Sequence, residues 1–259
     1  MRSNRSQLVF TVDVEADWAG TETRGIREAL PRLLDLLDRY DARATFFVVG
    51  ALVDEVRPLL PSGSNHEVGS HGLTHQLLSR MSRAEALREV AESKLRLEEA
   101  GYTIEGFRAP FFAAPSFLPE VLAEAGYAYD ASLGGVNPSL KNRRFGRALV
   151  HAGGALPRVA NSVMVDGLTP FSLTWLRLYQ PFSLSLEPIG DRVFYCHLHE
   201  FLDNTPGWSR LPTPFRQLHR RGSGAGAWRI VERLLASARG SVVPCRDLLK
   251  ANEFAYSNS

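Results

Sequence analysis

Cysteine is scarce: the chain has only Cys196 and Cys245 among 259 residues. Both sit among apolar neighbours, without the clustered spacing of a zinc knuckle. That argues against a disulfide scaffold and for two buried thiols in a reducing compartment. No run of eighteen apolar residues occurs, so no membrane-spanning helix is expected. The opening stretch MRSNRSQLVFTVDVE carries two arginines but no apolar core of signal-peptide length before Asp13. A cytoplasmic protein is the expectation. An excess of one charge is also missing: 30 Lys and Arg face 28 Asp and Glu, for a formal charge of +2 at pH 7. That balance gives no reason to expect nucleic acid as a partner. Internal repeats, low-complexity tracts and domain-splitting linkers are absent as well, so residues 1–259 read as a single domain.

What is present alternates between strand and helix patterns. LVFTVDVE (8–15) is a β-branched, apolar strand with acids at its end, and REALPRLLDLLDRY (27–40) places leucines at helical spacing. Strand ATFFVVG (44–50), a short helix at 52–60 and strand HEVGSH (66–71) follow. The clearest helix is 81–101, with Ser82 as cap, Glu85 at the capping-box position and Gly101 as stop. Strand 104–110, helix 115–126 and strand 127–133 continue the pattern. From 134 to 190 periodicity fades into glycine, proline and arginine, with one strand expected at 155–165. This irregular stretch is read as a specificity segment whose Phe171, Trp175, Tyr179 and Phe182 either wall a substrate groove or pack as core. Order returns with strand RVFYCHLHEF (192–201), a helix at 226–239 and the short strand SVVPC.

Polar residues gather just past the predicted strand ends. Asp13 and Glu15 close the first strand, His71 and His75 follow the third, and Arg108 follows the fourth. Asp130 follows the fifth, and His197 and His199 lie at the end of a late strand. In a parallel α/β barrel the C-terminal strand ends form one mouth, where active sites are built. Asp13 and Glu15, two apart on a strand, point to one face. Histidines four apart share one face of a helical turn and can chelate one ion. Two imidazoles with one carboxylate form a recurrent catalytic zinc set with a position left open. Each piece alone is more often bland: a solvated turn, non-ligand histidines, a salt-bridging arginine, a capping aspartate. Their joint occurrence, in order and each at a strand end, favours a site. His66 and His151 stay outside it as solvated or structural residues.

The segments TVDVEAD, SHGLTH, FRAPFF, YDASL and FYCHLHE, in that order, resemble the five successive motifs of the polysaccharide deacetylase family, carbohydrate esterase family 4. The resemblance covers roughly residues 7–135 and returns near 192–204. The D-x-E opening and HLHEFLD ending are more similar to the branch of exopolysaccharide-associated deacetylases than to chitin deacetylases. It implies a distorted (β/α) barrel of the polysaccharide deacetylase type with about seven parallel strands. It also implies one divalent metal ion, usually Zn2+, and a carbohydrate substrate from whose N-acetylated sugars acetyl groups are removed. By the same resemblance Asp13 is the catalytic base, His71 and His75 are metal ligands, and Arg108 orients the base. The Phe111 backbone N–H serves the oxyanion, Asp130 lies in the fourth motif on the substrate side, and His197 is the general acid. Val14 stands where the commonest pattern has a second aspartate, so the metal carboxylate is Glu15 or Asp17. Leu198 replaces the usual proline after the last histidine, leaving His197 and His199 both open as the acid. Two rivals remain: a metal-dependent amidohydrolase acting on a small ureide-like amide, and a catalytically silent carbohydrate-binding protein.

Overall fold

Seven consecutive buried residues, LVFTVDV, build β1 (Leu8–Val14), and strand alternation divides them into two sets. Leu8, Phe10, Val12 and Val14 pack in the larger core beneath the helices, whereas Val9 belongs to a second cluster on the opposite face. Thr11 and Asp13 share the parity of Val9. The computed structural model describes residues 6–18, 21–134, 150–151, 154–166, 169–180, 187, 190–204, 206–210 and 212–256.

β1 lies centrally in one curled sheet. On one side it pairs in parallel with β2 (Thr45–Val48), followed by β3 (Glu67–Ser70), β4 (Gly106–Phe107) and β5 (Tyr129–Leu133). β6 (Val150–His151) runs antiparallel to β7 (Arg158–Ala160), and β7 pairs with β5. On its other side β1 pairs with β8 (Arg192–His197), while β9 (Val242–Val243) joins at Leu8 and Val9. Among the described residues the sheet thus has nine strands: one antiparallel and eight parallel, where about seven parallel strands were expected. Of the strand expected at 155–165, Arg158–Ala160 forms. Past it, the Ser162 N–H reaches the Val193 carbonyl at 3.2 Å and Ser172 bridges Tyr195. These contacts carry the chain from the β7 end of the sheet to β8.

Helices cover the outer face. α1 (Leu30–Arg39) begins where Pro31 occupies the first turn, and a π-helical turn, Gly25–Ala29, occupies the start of the helix expected at 27–40. α2 (Val53–Val56) is short. α3 (Arg83–Glu99) carries the expected capping box: the Ser82 N–H donates to Glu85 at 2.8 Å and the Glu85 N–H to Ser82 Oγ at 3.3 Å. Such a cap is worth about 1 kcal/mol. Gly101 follows α3 at φ 95°. α4 (Leu118–Glu124), α5 (Leu173–Leu178), α6 (Thr213–Arg220), α7 (Ala225–Ser237) and α8 (Cys245–Tyr256) complete the layer, and α5, α6 and α8 were not expected. Among the described residues no helix is long and apolar enough to cross a membrane.

The interior is apolar at the N-terminal ends of the strands. Val9, Tyr129 and Val193 pack there with Cys245 and Leu248 of α8, in one cluster with Phe47 and Ala131. Gly106 makes room, since a Cβ on it would lie 2.1 Å from the Tyr129 ring. Buried Glu67 accepts hydrogen bonds from Thr45 Oγ1 at 2.7 Å, the Tyr129 hydroxyl at 3.0 Å and the Arg246 N–H at 3.1 Å. Its carboxylate therefore caps α8 from below the barrel. Both cysteines are buried and free, and burial pushes the Cys245 thiol up to about 12.

Candidate active site

The same strand parity that makes the floor apolar makes the opposite end polar. Asp13 of β1 is level with His197 of β8, and Thr11 with Tyr195. Glu15 follows on the same face. Arg108, just past β4, crosses the interior fully buried and lies over the Phe47 ring at 4.2 Å. Its Nη1 donates to Asp13 Oδ1 at 2.7 Å and to Thr11 Oγ1 at 2.9 Å, and its Nε to the Ala131 carbonyl at 3.3 Å. Four elements are thereby fastened around one carboxylate.

Glu15, His71 and His75 each offer a ligand atom, all within 4.8 Å of one another. His71 Nδ1 donates to the Arg108 carbonyl at 2.8 Å, which orients the ring with Nε2 3.6 Å from Glu15 Oε2. His75 Nε2 also contacts Glu15 Oε2, yet it is buried without hydrogen-bond geometry to any partner. Burial alone would raise the Glu15 carboxyl. The His71 and His75 imidazoles against it, with the charge of His197, hold it well below the usual range. An ionised carboxylate, an oriented imidazole and a buried nitrogen without a hydrogen-bond partner fit a borderline-soft divalent cation such as zinc.

The histidine spacing works differently from the expected helical turn. Residues 71–75 are not helical: Gly72 has φ 77° and His75 φ 59°, and this doubly left-handed loop folds the second imidazole back toward the first. The ring centroids are 5.0 Å apart. Glu89 of α3 pins the loop, its Oε1 accepting from the Leu73 and Thr74 N–H groups at 2.9 and 2.7 Å. Holding a non-glycine residue such as His75 at positive φ costs about 1–3 kcal/mol, a strain typical of functional sites. Phe111 and Phe112, at φ 58° and 54°, are strained beside it, and the Phe111 ring lies 4.8 Å from His75. In this tight turn the N–H groups of Phe112 and Ala113 bond backward to Ala109 and Pro110. Among the described residues the Phe111 N–H makes no such backbone bond.

Both alternatives left open by the sequence are placed. Asp17 accepts the N–H groups of Arg24 and Gly25 at 3.1 and 2.9 Å, closing a loop away from the histidine pair. His197 Nε2 lies 3.9 Å from Asp13 Oδ2. His199 is buried next to Trp18 at 6.3 Å, and burial with the neighbouring His197 charge drives it down to about 3, so it stays neutral. Asp130 is not brought to this cluster: it accepts from the Ser132 N–H at 2.8 Å and from Arg158 Nε at 3.0 Å. His66 is buried, with Nδ1 accepting the Ala44 N–H at 3.3 Å, and His151 sits on the edge strand β6. Phe171 is core, packed on Phe194, while Trp175 and Tyr179 stack on each other at the surface of α5. Phe182 lies outside the described residues. Two buried residues that sequence reasoning missed, Glu200 and Arg177, contact each other behind His197. A cleft of about 650 Å3 opens from His75 and Phe111 along α3, past Arg80, Arg88 and Glu92.

Three groups that could hold a cation thus lie beside an arginine-held aspartate, at the C-terminal mouth of a curled parallel sheet. The profile described as "Polysaccharide deacetylase" matches residues 4–129, just under half of the chain, and over that stretch the chain is similar to the polysaccharide deacetylase family. It is 35% identical over 94 residues to a chitin deacetylase of Colletotrichum lindemuthianum, covering 33% of this chain and 36% of that protein. A peptidoglycan-N-acetylglucosamine deacetylase of Bacillus cereus is 26% identical over 163 residues, covering 60% of this chain and 57% of that one. The chain therefore spans little more than half, or less, of these relatives. The fold superimposes on peptidoglycan deacetylase PdaC from Bacillus subtilis with a TM-score of 0.54 at 18% identity, over 98% of this chain and 95% of that structure.

Proposed function

We propose that the protein is a metal-dependent hydrolase that removes acetyl groups from N-acetylated sugars of a polysaccharide, an oligosaccharide or their precursor, on the exopolysaccharide-associated side of the family. The observation that carries this reading is the convergence of Glu15, His71 and His75 beside the Arg108-held Asp13, with His197 across from it. Glu15, His71 and His75 would hold the cation. Once bound, it would supply Lewis-acid polarisation of the acetyl carbonyl and bring the acidity of water toward a pKa of ~7.

The remaining steps belong to the chain. Arg108 keeps Asp13 aimed at the mouth, where it takes the proton of the attacking water. The Phe111 N–H faces the developing oxyanion, a contact worth roughly 3–4 kcal/mol. His197 gives its proton to the departing amine. Burial would lower His197, but the Glu200 hydrogen bond and the charges of Glu15, Glu200 and Asp13 hold it at about 9, so it is protonated at neutral pH. The acid thus holds the protonation state its role requires.

The test is acetate release from chitin oligomers, peptidoglycan and acetylated exopolysaccharides by zinc-loaded protein, with ureides as the contrasting substrates. Acetate from a glycan, abolished by chelation and restored by zinc, supports the reading. Ureide hydrolysis without acetate release would transfer the site to a small-amide hydrolase. Zinc binding with no hydrolysis at all would leave a carbohydrate-binding protein.

A further inference from the structure

Glu200 is 1% exposed and divides its carboxylate between two tasks. Oε2 faces α5: Arg177 Nε and Thr174 Oγ1 each donate to it at 3.0 Å. Oε1 faces the site: it accepts the His197 backbone N–H at 3.1 Å and lies 3.2 Å from His197 Nδ1. Arg177 is itself pinned, donating through Nη1 to the carbonyls of His219 at 2.9 Å and Arg221 at 3.3 Å. The result is a braced chain, Arg177–Glu200–His197, that ends with Nε2 of the imidazole facing Asp13.

Acceptor chemistry sets the direction of that chain. The Arg177 guanidinium and the His197 imidazole draw the Glu200 carboxyl down to about 2 against the pull of burial, so it is ionised and only accepts. The proton shared with it therefore sits on His197 Nδ1. Nε2 is left as the atom that exchanges a proton with the reacting groups. Other groups around the ring leave this assignment to Glu200. Asp13 of β1 and Glu15 just past it lie on the mouth side, Arg108 is spent on Asp13, and Tyr195 meets the ring edge-on at 5.8 Å. His199 stacks on it at 5.1 Å and is neutral, and His219 of α6 stacks on Trp18. Asp130, in the fourth motif, is occupied by Arg158.

We propose that Glu200, braced by Arg177 and Thr174, is a positioning residue for His197, fixing Nδ1 as a donor and presenting Nε2 to the leaving group. This rests on the reading of His197 as the general acid. It also gives the 134–190 segment a part in the chemistry, because α5 lies in it and supplies both braces.

Glu200→Gln alone would strand the buried Arg177 charge and endanger the fold, so the informative variant is the double change Arg177→Met with Glu200→Gln. Two readouts are taken. Ring 15N NMR of the zinc-free protein should show a protonated His197 Nδ1 in the wild type, and a ring averaging between tautomers in the double variant. With zinc restored, kcat for acetate release should fall roughly 10- to 100-fold with KM unchanged, the range typical of removing a residue that orients a site imidazole. Glu200→Asp, which keeps the charge and the Arg177 pair, should retain more of kcat than the double variant. The proposal is overturned by an unprotonated Nδ1 in the wild type, or by a folded double variant with wild-type kcat. If the wild type shows the Nδ1 proton, and loses it in the double variant, yet releases no acetate from any glycan, positioning stands and the deacetylase reading fails.

Discussion

Replacing Arg108 with methionine is the most exacting test of how the interior is built. The side chain is 1% exposed and that of Asp13 2%, with the two atoms paired at 2.7 Å. Methionine keeps the contact over Phe47 but deletes the hydrogen bonds to Asp13, Thr11 and Ala131. Asp13 then loses the guanidinium buried against it, a loss of about 3–5 kcal/mol when one partner of a buried pair is removed. For a chain of this size each kcal/mol moves Tm by about 2–4 °C, so a fall of roughly 6–20 °C is expected. Adding Asp13→Asn removes the carboxylate charge and should recover a large part of that fall, leaving the double variant above the sum of the single losses. The assay is calorimetric unfolding of zinc-free protein, which keeps ligand linkage out of the comparison. Zinc content provides an internal control, since His71 bonds to the backbone carbonyl of Arg108 and that carbonyl survives the substitution. Additive losses in the double variant, or a single loss under about 1 kcal/mol, would refute the argument.

Further outcomes follow from the same geometry. His71→Ala should abolish stoichiometric zinc binding by elemental analysis while Asp17→Ala leaves it intact; the reverse pattern would move the carboxylate ligand to Asp17. Asp13→Asn should retain zinc yet lower kcat by about 100-fold or more, as expected for loss of a positioned base; near-normal turnover would assign the base elsewhere. His199 is held near 3 when folded against an ordinary 6.5, so the unfolded chain gains a proton there first. Its contribution is complete above pH 6.5 and is lost as pH falls toward 3. Between pH 6.5 and 5 the Tm of the zinc-free wild type should therefore drop more steeply than that of His199→Phe, and equal slopes would contradict the buried neutral assignment.

Much of the fold was legible because the pattern is local. LVFTVDVE and ATFFVVG became β1 and β2 within a residue or so, and Ser82, Glu85 and Gly101 bound α3 as their chemistry dictates. Short elements were missed where tertiary context decides. α5 is only six residues long, and α8 begins at Cys245, where a strand ending was read, because Glu67 caps it from the far end of the barrel. The site divided along the same line. Asp13, Glu15, His71, His75, Arg108 and His197 stand at strand ends, a position visible in sequence. Glu200 and Arg177 lie 23 residues apart and meet only because α5 folds back onto the turn after β8. Of the missed pair, Glu200 carried the one available signal: it sits three residues after His197, inside the last matched motif. The histidine spacing was right for the wrong reason, since a left-handed loop, not a helical turn, brings the rings together.

The alternation along β1 has a consequence for how this sequence can vary. Val9, Thr11, Asp13 and Glu15 descend one side of a ribbon whose other side is Leu8, Phe10, Val12 and Val14. Gaining or losing a single residue between Val9 and Glu15 would exchange the two sides, driving acids into the layer beneath the helices and aliphatic groups into the mouth. That stretch can drift by replacement only, with its reading frame locked.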